Sequence, residues 1–270
     1  MSFSDSRAHF DECHFSATTE RIRAYYAAAV KSALSFPVIS DCDQYNSFTC
    51  SSSGPADSLD YFAKILHPVQ DFYAHTNWVE NGRLVLAFPE NVPGIPEFPL
   101  LTPYTTIRGL RVVEGAPPPG WVVRTPAHDA TYPASVLVTV DMPGSAPPEP
   151  ALISGQTSTD LDPSPPNACP RFRGPGAREI GHDQLAKDAP PTGPITDAVV
   201  ARRSLAFGNA RALAVAQTAE EWCRFVRLVR IQHQQPGDWA LYDKWVEDLD
   251  DARCGDDADL ESASGPSLGC

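Results

Sequence analysis

Residues 66–80 read LHPVQDFYAHTNWVE and belong to a longer stretch, residues 56–82, whose apolar side chains recur at helical spacing. We expect a helix here that ends near Asn81-Gly82, because glycine and asparagine are common just beyond helix ends. Pro68 lies inside this helix and removes one backbone hydrogen bond, so a kink is expected near Lys64.

Three polar residues of this helix predict a metal site. His67, Asp71 and His75 follow each other at intervals of four, which places them within about 80° on one helix face. Zn²⁺ accepts imidazole nitrogens and carboxylate oxygens of this kind. The three span about 12 Å of helix rise, so one ion would require a kink at Pro68, whereas two ions sharing Asp71 fit equally well. The alternative is a polar helix face without a ligand role.

Two further clusters of histidines and acids lie outside this helix. His9 and Asp11 open the first predicted helix, with His14 one turn later, and His182 begins a loop that also contains two aspartates, Asp183 and Asp188. Five of the seven histidines therefore lie in three short acid-containing clusters. Helix capping would explain Asp11 equally well.

Helices are predicted at both ends of the chain and strands in the middle. The composition favours helices at 10–36, at 196–234 and, more briefly, at 236–251. Of the 27 prolines, 22 lie between Pro89 and Pro194, where long helices are excluded. Within that region four short runs alternate like strands: LVLAF, TTIRGLRVV, GWVVRT and ASVLVTV.

The expected architecture is mainly α. We expect a helical core interrupted by an inserted β-module, a Pro-rich linker loop and a disordered acidic tail. The corresponding ranges are 1–83 and 195–250 for the core, 84–153 for the module, 154–194 for the linker and 251–270 for the tail.

Charge and cysteine content restrict function and location. A formal charge of −13 disfavours a nucleic-acid binder. The chain shows neither a long apolar run nor a basic, apolar leader, so a cytoplasmic location is expected. Cys42 and Cys50 could close a small loop in an oxidising compartment, while the odd total of seven cysteines favours a reducing one.

The quoted motif carries a family resemblance. LHPVQDFYAHTNWVE resembles the signature of the HET-C family of heterokaryon-incompatibility proteins. HFDECHF near the start, LAKDAP after Cys169 and the Ala-rich NARALAVAQTAEEWCRFVRL resemble further elements of that family. The HET-C family in turn resembles the zinc-dependent phospholipase C and P1 nuclease superfamily, which is all-helical and hydrolyses phosphodiesters. The resemblance thus implies a helical phospholipase C/P1 nuclease-like core.

The resemblance also implies a set of functional residues. They would bind one or two zinc ions, and Asp71 would be the bridging, catalytic ligand. If the chain is an enzyme, a carboxylate upstream on the same helix, Asp57 or Asp60, is a candidate general base independently of the resemblance. The implied partner is a phospholipid or another phosphodiester, with contact to a membrane surface. The implied ligands are His9, Asp11, His67, Asp71, His75 and His182.

A second hypothesis is a catalytically degenerate protein. It would act as an effector or partner-binding protein of a toxin, incompatibility or immunity system, with a structural metal at most. A phosphodiesterase assay separates the two hypotheses, because only the first predicts chelator-sensitive hydrolysis. A helical domain without metal is the third reading.

Overall fold

The computed structural model describes residues 6–34, 53–89, 97–127, 130–145, 147–156, 168–170 and 179–232. In these ranges the chain forms four α-helices and a five-stranded sheet. The helices are α1 (Phe15–Leu34), α2 (Ser53–His75), α3 (His182–Leu185) and α4 (Ala198–Gln232). The strands are β1 (Thr106–Ile107), β2 (Leu110–Val112), β3 (Val122–Arg124), β4 (Thr139–Asp141) and β5 (Glu149–Leu152).

The long helices follow the apolar periodicity, but the first one begins later than predicted. Helix α4 agrees with the predicted 196–234 to within two residues at each end. Helix α1 begins only at Phe15, because Phe10, Glu12 and Cys13 adopt left-handed backbone conformations. Residues 10–14 therefore form a tight turn rather than the first turns of a helix. Their side chains leave the helix axis and become available to the site described below.

The sheet is mixed, with strand order β1-β2-β5-β4-β3. Strands β2 and β5 pair in parallel, and the other neighbours pair antiparallel. The sequence did not predict strand β5, because Pro150 lies within it and proline is rare in the central strands of sheets. Conversely, the predicted strand LVLAF (84–88) is irregular, with Ala87 and Phe88 buried.

The expectation of a mainly α protein with a phospholipase C-like helical core is wrong. Helices and sheet share one hydrophobic core, in which Phe72 of α2, Phe225 of α4 and Val140 of β4 all take part. The chain is therefore an α/β mixture. The physical reason is that the buried faces of the short strands are too small to form a core alone, so they pack against the helices.

Asn77, just after α2, ties the helices to the sheet. Its buried amide donates hydrogen bonds to the carbonyls of Val136 (3.1 Å) and Ala151 (3.0 Å). Its side-chain oxygen accepts one from the Ile153 N–H (3.0 Å). The end of α2, which carries the predicted ligands, is thereby fixed against β5.

Several predictions lie outside the described residues. They include the Cys42–Cys50 loop, the short helix at 236–251 and the acidic tail at 251–270. Among the helices in the described ranges, none combines the length and the apolar character needed to cross a membrane.

Candidate metal centre

The six predicted ligands come from three separate parts of the chain and meet in one place. His9 and Asp11 precede α1, the three histidine and aspartate side chains of the motif lie on α2, and His182 opens α3. Together with Asp188, their ligand atoms form three groups of three, each with all its atoms within 4.8 Å of one another. The groups are His9/His67/Asp71, Asp11/His75/His182 and Asp71/His75/Asp188.

The first group has the dimensions of a zinc site. The Asp71 Oδ2 atom lies 2.8 Å from His9 Nδ1 and 3.3 Å from His67 Nε2, and the two nitrogens are 3.2 Å apart. In a tetrahedral site the ligand–ligand distance is about 1.6 times the metal–ligand distance, so zinc bonds of roughly 2.0–2.2 Å require roughly 3.3–3.6 Å. The three atoms thus nearly form one face of such a tetrahedron. Small outward movements would suffice for an ion to enter.

The second group contains two buried polar atoms that lack hydrogen bonds. Asp11 Oδ1 lies 3.2 Å from His75 Nδ1 and 3.8 Å from His182 Nε2. Asp11 Oδ1 and His75 Nδ1 form a close ion pair but no well-formed hydrogen bond, although both side chains are only 8% exposed. Burying polar atoms without partners costs free energy. A cation between these atoms would satisfy both.

The third group brings in Asp188, which the sequence placed near His182 without assigning it as a ligand. His75 Nε2 lies 3.0 Å from Asp188 Oδ1. Burial lowers the pKa of His75, but the carboxylates of Asp11 and Asp188 outweigh burial and raise it to about 10. The hydrogen bond from His75 correspondingly lowers the pKa of Asp188. In the ion-free protein, an imidazolium therefore bridges two carboxylates.

His75 limits how many groups can bind ions together. Its Nδ1 atom faces Asp11 and its Nε2 atom faces Asp188. A neutral imidazole binds a metal through one nitrogen and keeps a proton on the other. His75 can therefore complete either the second or the third group, but not both, whereas the His9/His67/Asp71 group is independent of it.

A short segment after β5, residues 153–156, holds the three parts of the site together. The Gly155 carbonyl accepts the Glu12 N–H (2.9 Å), and the Gly155 N–H donates to the His75 carbonyl (3.2 Å). The Gln156 carbonyl accepts the His182 N–H (2.8 Å). A Cβ atom on residue 155 would lie 2.5 Å from the His182 Cα, so only glycine fits this approach. We call residues 153–156 the linking segment.

A disulfide strengthens the same junction. Cys13 and Cys169 are bonded across 156 residues of sequence. The Cys13 N–H also donates to Ser154 Oγ at 2.7 Å. The turn that carries His9 and Asp11 is thus fixed covalently to the region after β5, which matters because residues ahead of a first helix otherwise tend to fray.

Three aromatic side chains, Phe10, Phe72 and Phe88, pack together beside the residues of the site. The Phe72 ring lies 5.3 Å from Phe10 and 4.7 Å from Phe88, measured between ring centroids. Phe10 separates His9 from Asp11 in sequence, and all three are buried. The left-handed turn therefore directs Phe10 into the core and its two neighbours into the cluster.

Other residues singled out in the sequence lie outside the three groups. His14 is buried near Glu12, at 3.9 Å, without joining a group. The exposed Asp60 pairs with the half-buried Lys64 one turn along α2, and Asp57 is exposed. Asp57 and Asp60 both lie about two helical turns or more before His67 and belong to none of the three groups, so the structure adds no support for either as general base.

Comparison with known proteins gives one match. The model of the VWA7 N-terminal domain family matches residues 2–94. The chain is thus similar to that family over about a third of its length, which includes α1, α2 and five of the six predicted ligands but neither His182 nor Asp188. No curated protein and no solved structure matches the chain.

Proposed function

We propose that the chain is a zinc-binding protein that hydrolyses phosphodiesters. The observation that carries the proposal is the triangle formed by His9 Nδ1, His67 Nε2 and Asp71 Oδ2, with sides of 2.8, 3.2 and 3.3 Å. The buried atoms Asp11 Oδ1 and His75 Nδ1, which make no well-formed hydrogen bond, add support. So does the resemblance of the α2 motif to the HET-C family.

The number of ions follows from the shared residues. We propose one ion in the His9/His67/Asp71 group and at most one more, which His75 would bind through only one of its nitrogens. Asp71 belongs to two of the three groups, so it is the candidate for a bridging ligand. One or two ions therefore fit these residues better than three.

The chemistry would divide between the ion and the side chains. Bound zinc would lower the pKa of a water molecule toward neutrality and offset the charge of a phosphate. Attack of the water oxygen on phosphorus forms one P–O bond and breaks the ester P–O bond, and the departing alkoxide takes up a proton as an alcohol. Asp188 is the candidate proton acceptor, because its side chain is 54% exposed and its carboxylate lies at the edge of the centre, 3.0 Å from His75 Nε2.

Metal analysis and a hydrolysis assay test this proposal. We expect at least one zinc per chain in the purified protein and a loss of zinc in His67→Ala. Hydrolysis of bis(4-nitrophenyl) phosphate should stop with a chelator and in Asp71→Asn. The matched control is Asp60→Asn on the same helix, which should bind zinc and react as the unaltered chain does.

The possible results separate the hypotheses. Zinc binding without hydrolysis of lipid or nucleotide phosphodiesters would favour the catalytically degenerate effector or binding protein. Absence of stoichiometric zinc, unchanged by His67→Ala, would refute the metal-dependent hydrolase, whereas the effector or binding protein does not require a metal.

The disulfide bears on where the protein works. Cys13 and Cys169 are bonded to each other, and such bonds persist mainly in oxidising compartments. We therefore propose an oxidising compartment in place of the cytoplasmic location expected from the sequence. Mass spectrometry of the protein after thiol blocking in cells would show Cys13 and Cys169 blocked if this proposal is wrong.

A further inference from the structure

A pocket opens beside the candidate metal centre, between α2 and α4. Its volume is about 330 Å³. Asp71 and Asp188 form the side next to the metal centre, and α4 forms the opposite side with one cation and three apolar side chains. These four residues of α4 are Phe207, Ala210, Arg211 and Ala214.

Arg211 lines this pocket, and its guanidinium group has no bonding partner among the described residues. It is exposed, and among the residues that the structure describes no hydrogen bond, ion pair or ring contact involves its guanidinium group. Lys187, which also lines the pocket, is instead buried in an ion pair with Glu80 at 3.1 Å. An arginine that only balanced Asp71 or Asp188 would pair with one of them. Arg211 is thus available for a ligand.

We propose that Arg211 binds a phosphate oxygen of the substrate and that the apolar side of the pocket holds a substituent of that phosphate. This inference rests on the proposed function. Zinc bound to Asp71 would offset negative charge on the acidic side of the pocket, which would then attract anions. A guanidinium group matches two phosphate oxygens with two parallel N–H donors.

The dimensions of the pocket restrict the substrate. About 330 Å³ is near the lower limit of small-molecule pockets, which span roughly 300–1,000 Å³. Phe207, Ala210 and Ala214 offer a ring and two methyl groups rather than further hydrogen-bond donors. The substrate class is therefore a small phosphate diester with an apolar or aromatic substituent, or a lipid whose phosphate and first substituent enter while its acyl chains stay outside.

Phosphate binding to the zinc-loaded full chain tests the role of Arg211. We expect Arg211→Gln to raise the Kd for inorganic phosphate about ten- to hundredfold in isothermal titration calorimetry, because charge-assisted hydrogen bonds contribute strongly. Arg211→Lys should lie between the two. The matched control is Arg202→Gln, since Arg202 is an exposed arginine of the same helix that bonds to its own Ala198 carbonyl (3.0 Å) and does not line the pocket.

A second variant tests the apolar side separately. Ala214→Leu places a larger side chain in the pocket on a helix that accepts leucine readily. We expect it to raise the KM for bis(4-nitrophenyl) phosphate several-fold and to leave the Kd for inorganic phosphate unchanged. Dihexanoyl phosphatidylcholine, compared in the same assay, shows whether a lipid or a small diester is the better source of the phosphate.

The outcomes distinguish this inference from the proposed function. A Kd for phosphate in Arg211→Gln within twofold of the unaltered chain, with zinc content intact, would overturn the role of Arg211 alone. An unchanged KM in Ala214→Leu would overturn the placement of the substituent. Absence of zinc from the unaltered chain would refute the metal centre itself, whatever the effect of Arg211→Gln.

Discussion

The buried ion pair between Lys187 and Glu80 gives a quantitative test of how the Asp188 loop is held. The Lys187 ammonium lies 3.1 Å from Glu80 Oε1 and donates to the carbonyls of Thr76 (2.9 Å) and Leu185 (2.7 Å). The Lys187 side chain is 4% exposed and that of Glu80 is not exposed at all. The pair therefore joins the turn that follows α2 to the residues just before Asp188.

We predict a large loss of stability in Lys187→Met. The substitution leaves the Glu80 carboxylate buried, with the Tyr132 hydroxyl (2.8 Å) as its remaining donor among the described residues. Breaking one side of a buried ion pair costs about 3–5 kcal/mol. At roughly 2–4 °C per kcal/mol for a domain of this size, the Tm should fall by roughly 6–20 °C.

The double variant Lys187→Met/Glu80→Gln identifies the source of that loss. Because it no longer buries an unpaired charge, we expect it to be more stable than Lys187→Met by about 2 kcal/mol or more. The assay is urea unfolding followed by circular dichroism, with all variants in the same chelator-containing buffer. A loss below about 1 kcal/mol in Lys187→Met, or strictly additive effects of the two substitutions, would refute the reasoning.

Three further predictions concern the linking segment, the sheet and pH. Gly155→Ala should cost roughly 1–3 kcal/mol, because its Cβ would meet His182 at 2.5 Å; calorimetric scanning measures the loss, and an unchanged Tm would contradict that contact. Asn77→Ala should lower the free energy of unfolding by roughly 2–4 kcal/mol, because three buried hydrogen bonds are lost. Unfolding should remain a single transition. Separate transitions for helices and sheet, seen by urea titration with two probes, would argue against a shared core. The pKa of His75 is raised from 6.5 to about 10, so its contribution to the stability of the metal-free protein is full below pH 6.5 and disappears as pH rises through 10. In a chelator-containing buffer, His75→Asn should flatten that decline. An equally steep decline in the variant would count against a protonated His75 ring.

The sequence predicted α4 closely because its signal is local, whereas α1 begins at Phe15 rather than residue 10 and α2 ends at His75 rather than near Asn81-Gly82. Helix α4 has an apolar face at helical spacing over more than thirty residues, and both of its ends agree with expectation. The His67, Asp71 and His75 spacing on α2 likewise placed three side chains on one face. Both arguments need only the geometry of a helix.

The remaining parts depend on contacts between distant residues. Strand β5 is the central strand of the sheet, but Pro150 within it prevents its prediction from the local sequence pattern. The turn at Phe10 adopts left-handed conformations that a helix-like sequence does not suggest. It exists because Cys13 bonds to Cys169 and the linking segment accepts its backbone. Neither partner is visible from the residues near the turn.

The same distinction applies to the metal centre. The composition around His182 suggested a cluster, but nothing local separates Asp188 from Asp183 as a ligand. The backbone N–H of Lys187 donates to the Ala74 carbonyl at 3.1 Å, and this tertiary contact brings Asp188 to His75. The choice between the two aspartates is therefore made by packing rather than by sequence spacing.

A crystal structure of the zinc-equilibrated protein, with anomalous data collected at the zinc edge, tests the central claim most directly. We predict an anomalous peak about 2.0–2.2 Å from His9 Nδ1, His67 Nε2 and Asp71 Oδ2, and at most one further peak, bound through one nitrogen of His75. At saturating zinc, the absence of a peak among His9, His67 and Asp71 would contradict the account.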